Sequence, residues 1–375
     1  MMSSLGSPRS ARRWACVLAL SLAIAACGGN GDDDTPAPAP SPAPAPAVGD
    51  LVEAERVGRI TADEVSAALA ADADKVSGVT PRYNVVAYRL SYWTEDKNGA
   101  LTKASGLVAV PEGSGAAPVL SYQHATTFTN ANAPSLNLQP NEPPVALASQ
   151  GYIVVASDYV GFALSQGQDH PYLRSRPTAR AVIDMLTAAQ AWRSTQGVTD
   201  TGKLYLVGYS EGGYATMAAQ RELTRSQSPL LGQLVAAFPG AGPYNVEITL
   251  DTLLDRVHDE IPALAWPLDP DRLSQLGEPV RNEVRRLLLR AMVPGDADVD
   301  YQTKFLDDYI ANDRAALRTD SDVDWGWTPT VPVYLFHGKG DQTVPYEVST
   351  ATLATLQATG GATVSLTTCT GTDAE

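Results

Sequence analysis

The sequence predicts an α/β fold: a mostly parallel sheet flanked by helices, with a helical insertion near the end. Three observations predict it. Short continuous apolar runs such as "YIVVASDY" (Tyr152–Tyr159) and "KLYLVGYS" (Lys203–Ser210) alternate with segments of helical spacing. Such runs mark strands buried on both faces, which only a parallel sheet between helices provides. Earlier runs alternate apolar and polar residues, as suits an antiparallel edge. Between Asn245 and Trp327 no good strand pattern occurs, and the segment reads as helices.

The elements follow in order. Thr61–Val76 opens with Thr61 and Glu64 at capping-box spacing and has helix-forming composition. Tyr83–Trp93 is rich in Val and Tyr and alternates, so it reads as a strand. "ASGLVAVPEG" is a second strand ended by Pro111 and Gly113, and "APVLSYQHATTF" a third that runs into a loop at His124. Tyr152–Tyr159 is a strand and Thr178–Arg193 a helix. "KLYLVGYS" is a strand followed by the helix "GYATMAAQRELTRS". "LVAAFPGAGPY", "VPVYLFHGKGDQTVP" and "ATVSLTTC" supply the last strands. Between them, "VEITLDTLLDRVH", "DRLSQLGEPVRNEVRRLLLRAM" and "YQTKFLDDYIANDRAAL" are helical. An insertion of about 80 residues is too long for a crossover loop. Over the C-terminal ends of the strands, where open sheets place their sites, it would form a cap. The other reading is two ordinary crossovers with extra turns.

Composition bounds the function. The chain has 375 residues, 44% of them hydrophobic, and a net charge of −15. Without Arg9, Arg12 and Arg13 of the first 26 residues, the charge is −18. Such a surface repels phosphate backbones, so no nucleic-acid partner is expected. "MMSSLGSPRSARR" is basic, and "WACVLALSLAIAA" is an apolar run too short for a stable membrane anchor. Ala25-Ala26-Cys27 and then Gly28-Gly29 follow. This order resembles a bacterial lipoprotein signal, which implies lipid attachment at Cys27, export, and a location on the outer membrane. The alternative is an ordinary secretory signal with an incidental Cys27. The Pro-Ala tract that follows cannot form a helix or a core and reads as an extended tether of about 3 Å per residue. The expected organisation is a signal over 1–26, a tether over 27–50, core over 51–244, cap over 245–328, and core again over 329–375. Cys369 is the one cysteine left in the folded part, so it is either buried and inert or lacks its partner.

The chemistry centres on Gly208-Tyr209-Ser210-Glu211-Gly212, placed between an apolar strand and a helix. The glycines fit a tight turn where a side chain at 208 or 212 would collide with its neighbours, and Gly213 gives room for close helix packing. This resembles the nucleophile elbow of α/β-hydrolases, of the secreted lipase and carboxylesterase kind. The resemblance covers roughly Tyr83 to Glu375. It implies that Ser210 is the nucleophile and that the N–H of Glu211 is one oxyanion donor. "YLFHGKGDQTVP" resembles the late acid loop, which makes Asp341 the acid and His337 structural. "SYQHATTF" resembles the His-Gly turn of lipases, with Ala125 in place of glycine. The second oxyanion donor is then the N–H of Thr126, with Ala125 next, and His124 is a packing residue. Asp158-Tyr159-x-Gly161 and His170-Pro171-Tyr172 resemble a loop that walls the site.

The base is missing from its expected place. In the Ser…Asp…His order of this fold the histidine follows the last strand, yet His124, His170, His258 and His337 all precede Asp341. The closing helix and a partner for Cys369 are also absent there, so the expectation is a truncated C-terminal end with the catalytic histidine beyond Glu375. The other readings are a recruited histidine and a dead member. His124 would approach from the oxyanion side, and His258 would need the cap to close. The resemblance implies a serine hydrolase that cleaves small-molecule or lipid esters through an acyl-enzyme, held to the membrane by its N-terminal lipid and needing no cofactor. The alternatives are a prolyl aminopeptidase-like serine peptidase and a non-catalytic surface module.

Overall fold

Residues 45–71, 78–260 and 270–370 are described by the computed structural model. The lipoprotein signal, Cys27 and most of the tether lie outside them.

Among the described residues, nine strands form a single sheet in the order β1-β2-β3-β5-β4-β6-β7-β8-β9. The strands are β1 (Leu51–Ile60), β2 (Val85–Glu95), β3 (Leu101–Pro111), β4 (Ala117–Gln123), β5 (Ile153–Ser157), β6 (Asp200–Tyr209), β7 (Leu234–Gly240), β8 (Val333–Gly338) and β9 (Val364–Cys369). The first three and β5 pair antiparallel. From β5 onward every pair is parallel. The helices outside the insertion are α1 (Ala62–Ala71), α2 (Pro143–Ser149), α3 (Ser175–Gln196), α4 (Glu211–Arg225) and a late one, Tyr346–Gln357.

Most of these elements match the pattern of the chain, and the mismatches have physical reasons. The α1 capping box forms as expected: Thr61 N–H donates to Glu64 Oε2 at 2.7 Å and Glu64 N–H to Thr61 Oγ1 at 3.2 Å. Strand β1 carries Glu53, Glu55, Arg56 and Arg59 and is mostly exposed, so it has no apolar face for a pattern to reveal. Among the described residues it pairs only with β2, and charges on an outer strand discourage pairing with other chains. Gly49 and Asp50, expected in the tether, already bond to Trp93 on β2. The helix Tyr346–Gln357 lacks a strong apolar stripe but buries Val348 and Leu356.

The core lies in layers on either side of the sheet. On one face Ala181, Met185 and Leu186 of α3 pack on Val108, Val155 and Leu206. Tyr214 and Met217 of α4 join Val333, Leu335 and Val348 beside them. On the other face α1 and α2 cover Val85, Ala109 and Val154 with Val65, Leu69 and Val145. Coverage of that face is incomplete, contrary to expectation. Phe238 stacks on Tyr334 and Phe336, and Phe336 remains 38% exposed.

The insertion is helical, as expected: α5 (Val246–Glu260), α6 (Pro270–Leu273), α7 (Glu278–Met292), α8 (Lys304–Ile310) and α9 (Arg314–Asp320). The late helix is therefore α10 (Tyr346–Gln357). Two long helical runs of the sequence are each broken. Gly277 precedes α7 in extended conformation, and Asn312 takes φ 55° between α8 and α9. Asn245 caps α5 through its side-chain oxygen, which accepts from Ile248 N–H at 3.0 Å.

The C-terminal end of the insertion is pinned to α4, and the two ends are pinned to each other. Tyr214 hydroxyl donates to Ser321 O at 2.6 Å, and Arg221 donates to Asp322 O at 2.8 Å. Asp322 Oδ1 accepts from Val246 N–H at 2.8 Å, and Val323 N–H reaches Tyr244 O. Burial raises the Asp322 carboxyl to about 7. The unfolded chain gives up that proton near the ordinary value of ~4, so stability falls as pH rises from ~4 to ~7 and is level above. Asp322→Asn keeps an acceptor for Val246 and removes the charge. Thermal melts against pH should show a flatter slope in that window and a higher melting temperature than the parent at pH ~8. Identical slopes would mean that another group controls this pH dependence.

Candidate active site

The turn from β6 into α4 places Ser210 at φ 56°, ψ −122°, a conformation that L residues avoid. Backbone bonds to neighbouring strands hold it there. Ser210 N–H donates to Gly240 O at 2.9 Å, and Ala241 N–H donates to Phe336 O at 2.7 Å. The turn is set by close backbone approach. A Cβ on Gly208 would lie 2.2 Å from Gly212 O, and one on Gly212 would lie 2.0 Å from Gln123 O. At Gly213 it would lie 2.2 Å from Gly240 O, so this glycine lets α4 meet the end of β7.

The loop after β4 crosses in front of this turn. The N–H groups of Ala125, Thr126 and Glu211 find no acceptor among the described residues. Glu211 begins α4, where free N–H groups and the helix dipole favour negative charge. His124 is buried, and burial lowers its pKa. Its Nδ1 lies 2.8 Å from Ala125 O and its Nε2 3.3 Å from Asp158 O, with the ring 4.2 Å from that of Tyr159 and tilted by 31°. His124 therefore packs and anchors the loop.

Asp341 lies after β8 at the same edge of the sheet. Its Oδ1 accepts from the N–H groups of Thr343 and Val344 at 2.8 and 2.9 Å. Its Oδ2 lies 3.3 Å from His337 Nε2. His337 is buried, with Nδ1 2.7 Å from Ser349 Oγ and Nε2 3.0 Å from Val344 O. Desolvation lowers its pKa, and it braces the acid loop.

The loop after β5 ties several segments together. Buried Asp158 accepts from Ser105 Oγ, Ser135 Oγ and Ser135 N–H, which ties three segments together. Tyr172 reaches Thr126 Oγ1 at 3.4 Å. A small cavity of ≈ 20 Å³ lies here, lined by Thr126, Phe128 and Tyr172 from the core and by Leu289, Val293 and Phe305 from the cap. His170 sits beneath, with Nδ1 2.9 Å from Val160 O and Nε2 2.6 Å from Glu211 Oε1. Sequence reasoning gave Glu211 a backbone role only and missed this contact. The available signal was an acid directly after the serine, inside a motif otherwise built from small and apolar residues.

Ser210, Glu211, Thr126, Ala125 and Asp341 thus all follow C-terminal strand ends: Ala125 and Thr126 after β4, Ser210 and Glu211 after β6, Asp341 after β8. None of the described histidine rings bonds to Ser210. The side chain of His258 lies outside the described residues. Cys369 is exposed, so the reading of it as buried and inert fails.

Comparison with known proteins agrees with this geometry. Residues 143–266 match the family described as secretory lipase. No curated protein sequence matches the chain. The rice cell wall degrading esterase LipA from Xanthomonas oryzae is 29% identical, over 88% of this chain and 92% of that one, with a TM-score of 0.66. A ligand-bound form of that esterase gives 0.67. Lipase A of Candida antarctica shares the fold at 19% identity and a TM-score of 0.54, over 86% of this chain and 76% of its own. The chain is an α/β-hydrolase and a carboxylic ester hydrolase. A secretory family also agrees with export, and no described helix is long and apolar enough to cross a membrane.

The elbow makes a sharp prediction. Gly212→Ala forces a methyl group into Gln123 O and should cost at least ~3 kcal/mol of stability, measured by chemical denaturation. Activity should fall with it. A loss below ~1 kcal/mol would mean that the β4 loop yields easily.

Proposed function

We propose that this ester hydrolase works through an acyl-enzyme on Ser210. The observation that carries the reading is the strained φ of Ser210, held by backbone bonds and by two glycine contacts that no larger residue permits. Strain of this kind persists only where surrounding structure enforces it, and here it presents a hydroxyl at a helix N-terminus. The N–H of Glu211 and that of Thr126, or next Ala125, stabilise the oxyanion of the tetrahedral intermediate. Asp341 orients the base and stabilises its charged form. The rings of His124, His170 and His337 are engaged elsewhere.

The substrate is a carboxylic ester with an apolar acyl or alcohol group. Phe128, Tyr172, Leu289 and Phe305 line the space beside Thr126. At ≈ 20 Å³ that space admits about one water, so an acyl group must displace side chains of α7 and α8.

Two experiments test the proposal. Fluorophosphonate should label Ser210, with the adduct located by peptide mass spectrometry. Ser210→Ala should abolish labelling and lower kcat on a p-nitrophenyl ester by about four orders of magnitude. Unchanged turnover in that variant would refute the acyl-enzyme. Ester turnover without anilide turnover would separate an esterase from a peptidase.

We further propose that Cys27 carries lipid and holds the enzyme at the outer membrane. Several acyl chains together give lasting attachment. The Cys27→Ser variant should then move from the membrane fraction to the soluble exported fraction. Retention in the membrane would rule the lipid out.

A further inference from the structure

An acid directly after a nucleophilic serine is a chemical problem. The reaction builds negative charge at the N–H of Glu211, and the Glu211 carboxylate belongs to the same residue. A full negative charge at such range, in a dry site, opposes the transition state by one to two orders of magnitude in rate. Glu211 is only 2% exposed, so water does not screen it.

We propose that His170 is the counter-charge that lets the elbow carry Glu211, and that it locks the same carboxylate to the cap. Nδ1 of His170 donates to Val160 O at 2.9 Å, so that nitrogen holds a proton. One further proton lies on the 2.6 Å line between Nε2 and Glu211 Oε1. With it the pair has no net charge, whichever partner holds it. The rings of Tyr159, Phe162, Tyr172 and Tyr301 surround the imidazole at centroid distances of 5.1 to 6.0 Å. Aromatic walls favour a cation and exclude water. Among the described residues no lysine or arginine bonds Glu211, and burial holds His124, its other histidine neighbour, toward the neutral form.

The backbone of His170 makes the link to the cap. Its N–H donates to Asp300 O at 2.6 Å, and Gln302 N–H donates to His170 O at 3.0 Å, a parallel bridge beside Tyr301. One residue thus joins the nucleophile turn, the loop after β5 and the segment leading into α8. His170 is a positioning residue that acts through Glu211. The inference rests on the reading of Ser210 as nucleophile.

A double-mutant cycle tests it, with His170→Gln, Glu211→Gln and the pair together, measured by thermal melting and by ester kinetics. A charge role predicts that His170→Gln lowers the melting temperature and cuts kcat about 30-fold with little change in KM. Adding Glu211→Gln should then restore at least half of the melting loss and raise kcat at least tenfold over the single variant. A double variant that folds where His170→Gln does not gives the same support. Additive losses, or a double variant that also fails to fold, would overturn the proposal, because His170 would then act by shape alone. Melting does not depend on turnover, so it decides the matter even for a protein without activity. Full turnover in Ser210→Ala would sink the nucleophile reading instead.

Discussion

The structure depends on one close approach. The backbone of α4 at Gly212 meets the carbonyl of Gln123 at a distance that admits no side chain. That contact sets the turn between β6 and α4, the strain at Ser210, and the position of the β4 loop in front of it. The surrounding sheet holds the strain. Ser210 is tied to β7, and the end of β7 is tied to β8. A parallel sheet can do this because its strand ends lie side by side, so three loops from β4, β6 and β8 converge without any of them being long.

The second layer of organisation is polar and buried. Asp158 gathers Ser105 and Ser135, Asp322 gathers the two ends of the insertion, and His170 gathers Glu211 and the cap. Each replaces water with several directed bonds, so each specifies an arrangement that apolar packing alone leaves loose. A cap held at its C-terminal end by Tyr214 and Arg221, with its N-terminal end tied to Asp322, and held before α8 by His170 can shift its α7 side chains without leaving the core. This suits a lining to which the core loops give Phe128 and Tyr172 and the insertion gives Leu289, Val293, Tyr301 and Phe305.

Much of the site was legible before any coordinates. A glycine-spaced serine between a strand and a helix is a pattern that can be read locally, and a Cβ on Gly208 would meet Gly212 O four residues on, but the contact that excludes one at Gly212 comes from distant Gln123. The Asp341 loop follows a strand that is equally local. The charged edge strand β1 and the helix α10 were not legible, since one has no buried face and the other only a weak one. The breaks at Gly277 and Asn312 were hidden inside runs of helical composition.

The sequence by itself determined the α/β alternation, the glycine-flanked Ser210 turn between a strand and a helix, the loop after β8 and the helical nature of the insertion. These rest on periodicity and local spacing, which neighbouring residues carry. Only the tertiary structure decided the partnership of His170 with Glu211, the bracing of Asp341 by His337, and the pinning of the insertion to α4. The first joins residues 41 positions apart and the last spans about 100. The bracing of Asp341 is local in sequence, but it needs His337 buried against Ser349 of α10. Contacts of this kind follow from which surfaces the folded sheet brings together, and no short-range pattern encodes that.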